Sequence, residues 1–267
     1  MTALSTTLFL AALWAEALKA RRSLVPWLTA LGFSLAPLAG GLFMYILQDP
    51  VRARTMGIIS TKAQLTAGTA DWPAMLGLLT QATAGGGAML FAIVTAWVFG
   101  REFSDHTAKE LLALPTPRAA IVAGKFLVIL IWTAGLAALV FGLGLAVGAA
   151  LGLPGWSAAL VQRSAVNLVI IWGLTLALMP FVALLASAGR GYLPPIGWAI
   201  LTLALAQIAG ATGWGDWFPW SVPALFSVPA GPRSAQVGLH SIIVVTLACA
   251  VGLACTFGWW HTADQTR

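Results

Sequence analysis

Seven charged side chains fall within the stretch from Arg101 to Lys125: Arg101, Glu102, Asp105, Lys109, Glu110, Arg118 and Lys125. Elsewhere charge is sparse, since only 8% of the 267 residues are Asp, Glu, Lys or Arg. Such a segment suits a contact with a water-soluble partner. Its local chemistry is helical. Thr107-Ala108-Lys109-Glu110 fits a capping box, in which the Thr107 hydroxyl accepts the Glu110 N–H and the Glu110 carboxylate accepts the Thr107 N–H. Leu111, Leu112 and Leu114 add apolar surface, and Pro115 disfavours an α conformation at Leu114 and ends the helix. The acidic residues come early and Arg118 lies just beyond the end, an order that matches the helix dipole. A solvated connector between two spans would carry the same composition.

The elements around this segment must be membrane spans. A soluble domain carries about 25% charged residues; at 8%, with 60% hydrophobic residues, this chain cannot cover a water-facing surface. Six runs between consecutive charges exceed the ~20 apolar residues that a spanning helix needs: Ser23–Gln48, Trp72–Gly100, Phe126–Gln162, Ser164–Gly189, Gly191–Gly215 and Ser234–Ala263. They predict an all-α integral membrane protein in a single domain, with spans over 24–48, 73–100, 119–151, 164–188, 193–213 and 236–260. The third run reads as one helix stopped by Leu153-Pro154-Gly155-Trp156, followed by a partly interfacial piece leading to Arg163; two spans there would move the C-terminus across the membrane. Residues 1–22 read as an amphipathic interfacial helix bending into the first span. They lack the leading positive charge of a secretory signal. The charged segment 101–118 joins spans two and three. Residues 214–235 form a Trp/Pro-rich outside loop, broken by Pro219, Pro223, Pro229 and Pro232, that is re-entrant or lies on the surface.

Lys/Arg bias places both termini in the cytoplasm: nine basic residues inside against five outside. The formal charge of +6 does not indicate nucleic acid, because the basic residues are scattered rather than gathered on one face; anionic membrane lipids are the better partner. Cys249 and Cys255 suit neither a metal site nor a redox pair. His106, His240 and His261 are far apart, and HExxH and GxSxG are absent. The one Gly-Lys, Gly124-Lys125, is followed by Phe126 and has Ala119 where a phosphate loop needs Gly. An ATP-driven role therefore requires another chain.

Within the spans, Gln81, Asn167 and Gln207 need partners, either as interhelical hydrogen bonds or as the lining of a substrate route. Trp172 either packs internally or meets an apolar substrate. Gly144, Gly148 and Gly152 make overlapping GxxxG steps that permit close helix approach, within the chain or to a second copy. Gly85-Gly86-Gly87 marks a hinge or a tight contact, and Pro180 predicts a kink.

Glu102-x4-Thr107-x-Lys109-x-Leu111-Leu112-x2-Pro115-x2-Arg118, followed by Lys125-Phe126, resembles the segment after the second span of type-2 ABC exporter permeases, nearest in pattern to bacitracin and lantibiotic export or immunity permeases. The Ala15–Lys19 segment, the six spans and Phe218–Pro223 agree. The resemblance covers essentially the whole chain. It implies a permease with six spans and cytoplasmic termini, paired with a second copy or a paralogue in the inner membrane. Each permease would contact a separate ATP-binding subunit that carries ATP and Mg. Glu102, Thr107, Lys109, Glu110, Leu111, Leu112, Pro115 and Arg118 would form the coupling element that meets it. Asp105-His106 stands where relatives often have a small residue or Gly, which leaves the local turn open. An amphipathic or hydrophobic compound is the expected cargo. The rival from another class is an ATP-independent secondary transporter or channel, which would want ionisable groups near mid-span. A membrane subunit that anchors an ATPase but moves nothing is a third reading, which a measurement of ATP-dependent flux separates from a pump.

Overall fold

The computed structural model describes residues 2–50, 55, 68–107, 110, 116–227 and 237–262, with side chains from residue 7. Among these residues there are helices and no strand. The long helices are α1 (Thr2–Arg21), α2 (Val25–Gln48), α3 (Trp72–Ser104), α4 (Arg118–Ala150), α5 (Ala158–Leu176), α6 (Met179–Ala188) and α7 (Leu193–Thr212). A 3-10 turn (Pro219–Ser221), the short α8 (Val222–Ser227) and α9 (Leu239–Thr262) follow. Six segments are long and apolar enough to cross a membrane: α2, α3, α4, α5 with α6, α7 and α9.

Start and stop chemistry explains these boundaries. Proline stands in the first turn of α2, α3, α6 and α7, where its missing N–H costs no intrahelical bond. The Asp71 carboxylate caps α3 by accepting the Ala74 N–H at 2.9 Å. Ser157 caps α5 by accepting from Leu160 N at 3.1 Å, so the helix starts at Ala158 and Arg163 lies inside it, not in an interfacial connector. Pro180 does more than bend the fourth span: it breaks the helix, and Ala177-Leu178 separates α5 from α6. The third run is one span. The Gly148 carbonyl accepts from Leu153 N and the Ala149 carbonyl from Gly152 N, with Gly152 left-handed at φ +61°, which closes α4 in a Schellman motif.

The core is organised around α3. In its most apolar stretch 56% of residues are buried, against 22% in both α7 and α9. α2, α4, α5, α6, α7 and α8 all pack on it. Gly144 and Gly148 let α4 approach α3 within the same chain: a Cβ on Gly148 would lie 2.7 Å from the Trp72 ring, and one on Gly144 would run into Leu79. Gly152 takes no part in that face, because it is the turn that ends α4. Of the three consecutive glycines, only Gly87 makes a tight contact, with a Cβ position 3.3 Å from Phe33; α3 runs through all three unbroken. The described part of the Trp/Pro-rich loop enters the bundle: Val222, Leu225 and Ser227 are buried, and the Ser227 carbonyl accepts from Thr80 Oγ1 at 3.2 Å. Residues 228–235 of that loop lie outside the described residues.

Glu16 and Lys19 of α1 turn toward the bundle, while Arg21 at its end stays exposed. The helix packs on α4, where the backbone at Leu13 comes within 3.4 Å of a Cβ position on Gly124, and Glu16 and Ala20 are buried. The thin polar face of the predicted interfacial helix is turned inward because Glu16 and Lys19 have partners there.

Candidate coupling site

α3 carries on one turn beyond Gly100, so Arg101 and Glu102 belong to the helix and not to the connector. At 1.5 Å per residue this 33-residue helix is about 50 Å long, against a hydrocarbon core of about 30 Å. Its end therefore reaches the membrane boundary. Glu102 lies there, two residues before the end, and is 2% exposed. Lys125, two turns into α4, is fully buried.

Four charges from three helices meet at this point. Lys125 Nζ donates to Glu102 Oε1 at 2.7 Å, to Glu16 Oε2 at 3.1 Å and to the Val98 carbonyl at 2.7 Å, which satisfies all three ammonium donors. Lys19 Nζ donates to Glu16 Oε1 at 2.6 Å and to the same Glu102 oxygen at 2.9 Å. Two ammonium and two carboxylate groups sum to zero, which is what makes their burial affordable. Partial burial pushes the Lys19 ammonium toward neutrality, but Glu102 and Glu16 outweigh it and hold its pKa above the usual lysine value. The cluster thus pins α1 against the end of α3 and the start of α4.

The turn after α3 is left-handed at His106, with φ 58°. Thr107 N donates to the Glu102 carbonyl at 2.9 Å and His106 N to the Phe103 carbonyl. This is again a Schellman ending, with histidine where glycine is usual. It corrects one arm of the capping box, because the Thr107 N–H expected to meet Glu110 closes α3 instead. Arg101 pairs with Asp105 at 3.1 Å and lies 5.1 Å from the Trp97 ring centre. Thr107 and Glu110 are exposed, whereas Lys109, Leu111, Leu112 and Pro115 lie outside the described residues. Arg118, at the first position of α4, donates to the carbonyls of Trp260 and His261 at 3.1 and 3.2 Å and so caps the last turn of α9. Two of the expected coupling residues, Glu102 and Arg118, therefore bind the ends of helices together. Thr107 and Glu110 face outward.

Lys125, Glu16 and Lys19 are not among the site residues that the sequence predicts. Their signal was present, because Lys125 closes the charge-dense stretch and Glu16 and Lys19 are the only charges of α1 before Arg21. What local spacing does not carry is their meeting across 83 and 109 positions.

The polar residues expected along a substrate route do not converge. Trp172 Nε1 donates to Thr133 Oγ1 at 3.1 Å, an interhelical bond between α5 and α4. Asn167 shares a shallow hollow with Gln162 and Arg163 on α5. Gln81 and Gln207 are exposed on the single chain.

The family model described as ABC-2 family transporter protein matches residues 12–206, a range that includes α2 to α6, most of α7 and the charged cluster. The bacitracin transport permease protein BCRB of Bacillus licheniformis is 25% identical over 179 residues, which cover 67% of this chain and 85% of that protein. No solved structure matches the chain.

Proposed function

This chain belongs to the ABC-2 transporter family, and on that premise we propose that a separate ATP-binding subunit drives it through the 101–118 segment. It is a multi-pass membrane protein and the permease of an ABC exporter, a transport subunit that is not itself catalytic. One observation supports drive through this segment: the connector leaves α3 and enters α4 beside a buried ion cluster that also holds α1. A push on the connector then reaches all three helices through that cluster. ATP and Mg stay on the partner, whose nucleotide-driven closure is transmitted through the exposed residues Thr107 and Glu110 together with Lys109, Leu111, Leu112 and Pro115. Glu102, Lys125 and Arg118 pass the movement inward. Both termini and this segment lie on the cytoplasmic side of the inner membrane. The cargo is an amphipathic or hydrophobic compound, a reading supported by the bacitracin permease relative and by spans with almost no charge.

A second copy or a paralogue completes the pathway. Between Pro73 and Ser104, Gln81 and Gly86 are the exposed residues of α3, so Gln81 presents its amide on the outer surface of the single chain, where a polar partner would satisfy it. A partner permease would cover it, and likewise Gln207.

The test is co-purification with a candidate ATP-binding subunit, comparing the natural chain with Glu110→Ala/Leu112→Ala. Both changes avoid the buried cluster, so the permease should still fold. Retention of the subunit by the natural chain, with ATPase activity uncoupled from transport in the variant, supports the reading. A natural chain that holds no ATPase, or a variant indistinguishable from it, overturns it.

A further inference from the structure

A groove of about 910 Å³ opens on the outside of the bundle between α1, the start of α2 and the middle of α4. Its walls include Trp14 and Ala17 of α1, Trp27 of α2, and Ile131 and Trp132 of α4, with Arg21 at one end. Trp14, Trp27 and Ile131 are 66%, 74% and 59% exposed. The polar atom of Trp132 is already engaged, donating to Thr29 Oγ1 at 3.2 Å, so the indole offers the groove only apolar surface. In a bilayer such a groove holds neither water, for want of polar partners, nor a void, which would forfeit dispersion contacts along its walls.

The charge at its mouth says which molecule fills it. Lys19 is held by Glu16 and Glu102, but Arg21 and Arg22 are exposed and make no ion pair among the described residues. The open Arg21 guanidinium in the wall of an apolar groove, with exposed Arg22 next to it in the chain and indoles of the kind that sit at headgroup depth, complements an anion carrying an acyl chain. We propose that this groove is a binding site for one anionic phospholipid, its chain lying between Trp14, Trp27 and Ile131 and its phosphate on Arg21 and Arg22. The site lies outside the bundle, so the lipid is a resident ligand and not cargo. By filling the gap between α1 and α4 it supports the same docking that the ion cluster fixes from the inner side.

Native mass spectrometry of the purified full chain, titrated with phosphatidylglycerol and with phosphatidylcholine of identical chains, tests the assignment. The expected result is one tight phosphatidylglycerol, preferred by about fivefold for each arginine, the equivalent of about 1 kcal/mol apiece. Arg21→Gln/Arg22→Gln should abolish the preference, and Arg163→Gln, on the distant face of α5, should keep it. Ala17→Trp should block the groove and lower binding of both lipids. Equal binding of the two lipids by the natural chain overturns the proposal, as does full retention by the double arginine variant. If Ala17→Trp leaves lipid binding intact and instead changes the mass from dimer to monomer, the groove is an interface between copies and the proposal falls.

Discussion

The two ends of the α3–α4 pair are fastened by different physics. At one end Glu102 and Lys125 meet at 2.7 Å and draw in Glu16 and Lys19 of α1. At the other end Gly148 admits the Trp72 ring, Trp72 N donates to the Pro154 carbonyl at 3.0 Å, and Trp156 closes edge-on at 4.6 Å. The packed end is steric, and any relative movement there opens a void. The charged end is directional, and both lysines already share a single Glu102 oxygen. Small rearrangements there exchange one bond for another without exposing apolar area. If the connector drives the permease as proposed, movement belongs at the charged end and the pivot at the packed one.

That contrast makes the charged end the more costly to break. Lys125→Met leaves two buried carboxylates facing Lys19 alone, and removal of one member of a buried ion pair costs about 3–5 kcal/mol. The variant should lose α1 docking and most of its yield in detergent. Lys125→Met/Glu102→Gln should recover much of the loss, since it removes both members of the pair. A double variant no better than the single one would show that Lys125 acts by packing and not by charge. At the packed end, Gly148→Ala places a methyl 2.7 Å from the Trp72 ring and should cost about 1–3 kcal/mol in denaturant titration. Gly144→Ala meets both Cδ atoms and Cγ of Leu79, a side chain that can turn about its torsions where the Trp72 ring cannot yield, and should cost less. Equal costs would remove Trp72 as the rigid element of this end.

The two ends also differed in how far the sequence disclosed them. Gly144 and Gly148 announced close approach by their four-residue spacing, which needs only helix geometry; that the facing helix is α3 of the same chain needed the fold. The six spans were readable because lipid imposes a length and an apolar composition. Arg163 and the break at Ala177-Leu178 were misplaced for opposite reasons. A serine cap outweighed a charge as the start of α5, and a proline expected to bend a helix interrupted it. The ion cluster was hidden because Glu102 and Lys125 each looked like connector charges turned toward water. Their burial depends on α1 returning across the bundle, which no local pattern encodes. The left-handed turn at His106 was equally unreadable, because its glycine-like role falls on a residue that seldom fills it.

Smaller effects sharpen the comparison at the charged end. Arg118→Gln removes the guanidinium from the last carbonyls of α9 and should cost about 0.3–1 kcal/mol, seen as earlier loss of protection in the final turn of α9 during hydrogen exchange. Alkali should act on this end alone. The Lys19 pKa is held above its unfolded value, so its contribution is complete below the normal lysine range and fades as pH rises through the raised value. A spin-label distance between α1 and α4 should stay constant through neutral pH and lengthen only in strong alkali, while the contact between Trp72 and Gly148 stays unchanged.

The last expected effect is a gain. His106 sits at φ 58°, a conformation that costs an L-residue roughly 1–2 kcal/mol and glycine nothing. His106→Gly relieves that strain but gives the unfolded chain more freedom, a penalty of about 0.4–1 kcal/mol. The balance favours the variant by up to about 1.6 kcal/mol, a rise of a few degrees in thermal unfolding. Because the imidazole is exposed and Thr107 N still reaches the Glu102 carbonyl, the ion cluster should not change. A stabilised His106→Gly that couples normally to its ATPase would make the turn a passive ending to α3. A stabilised variant that couples poorly would mean that the strained histidine holds the connector ready to move.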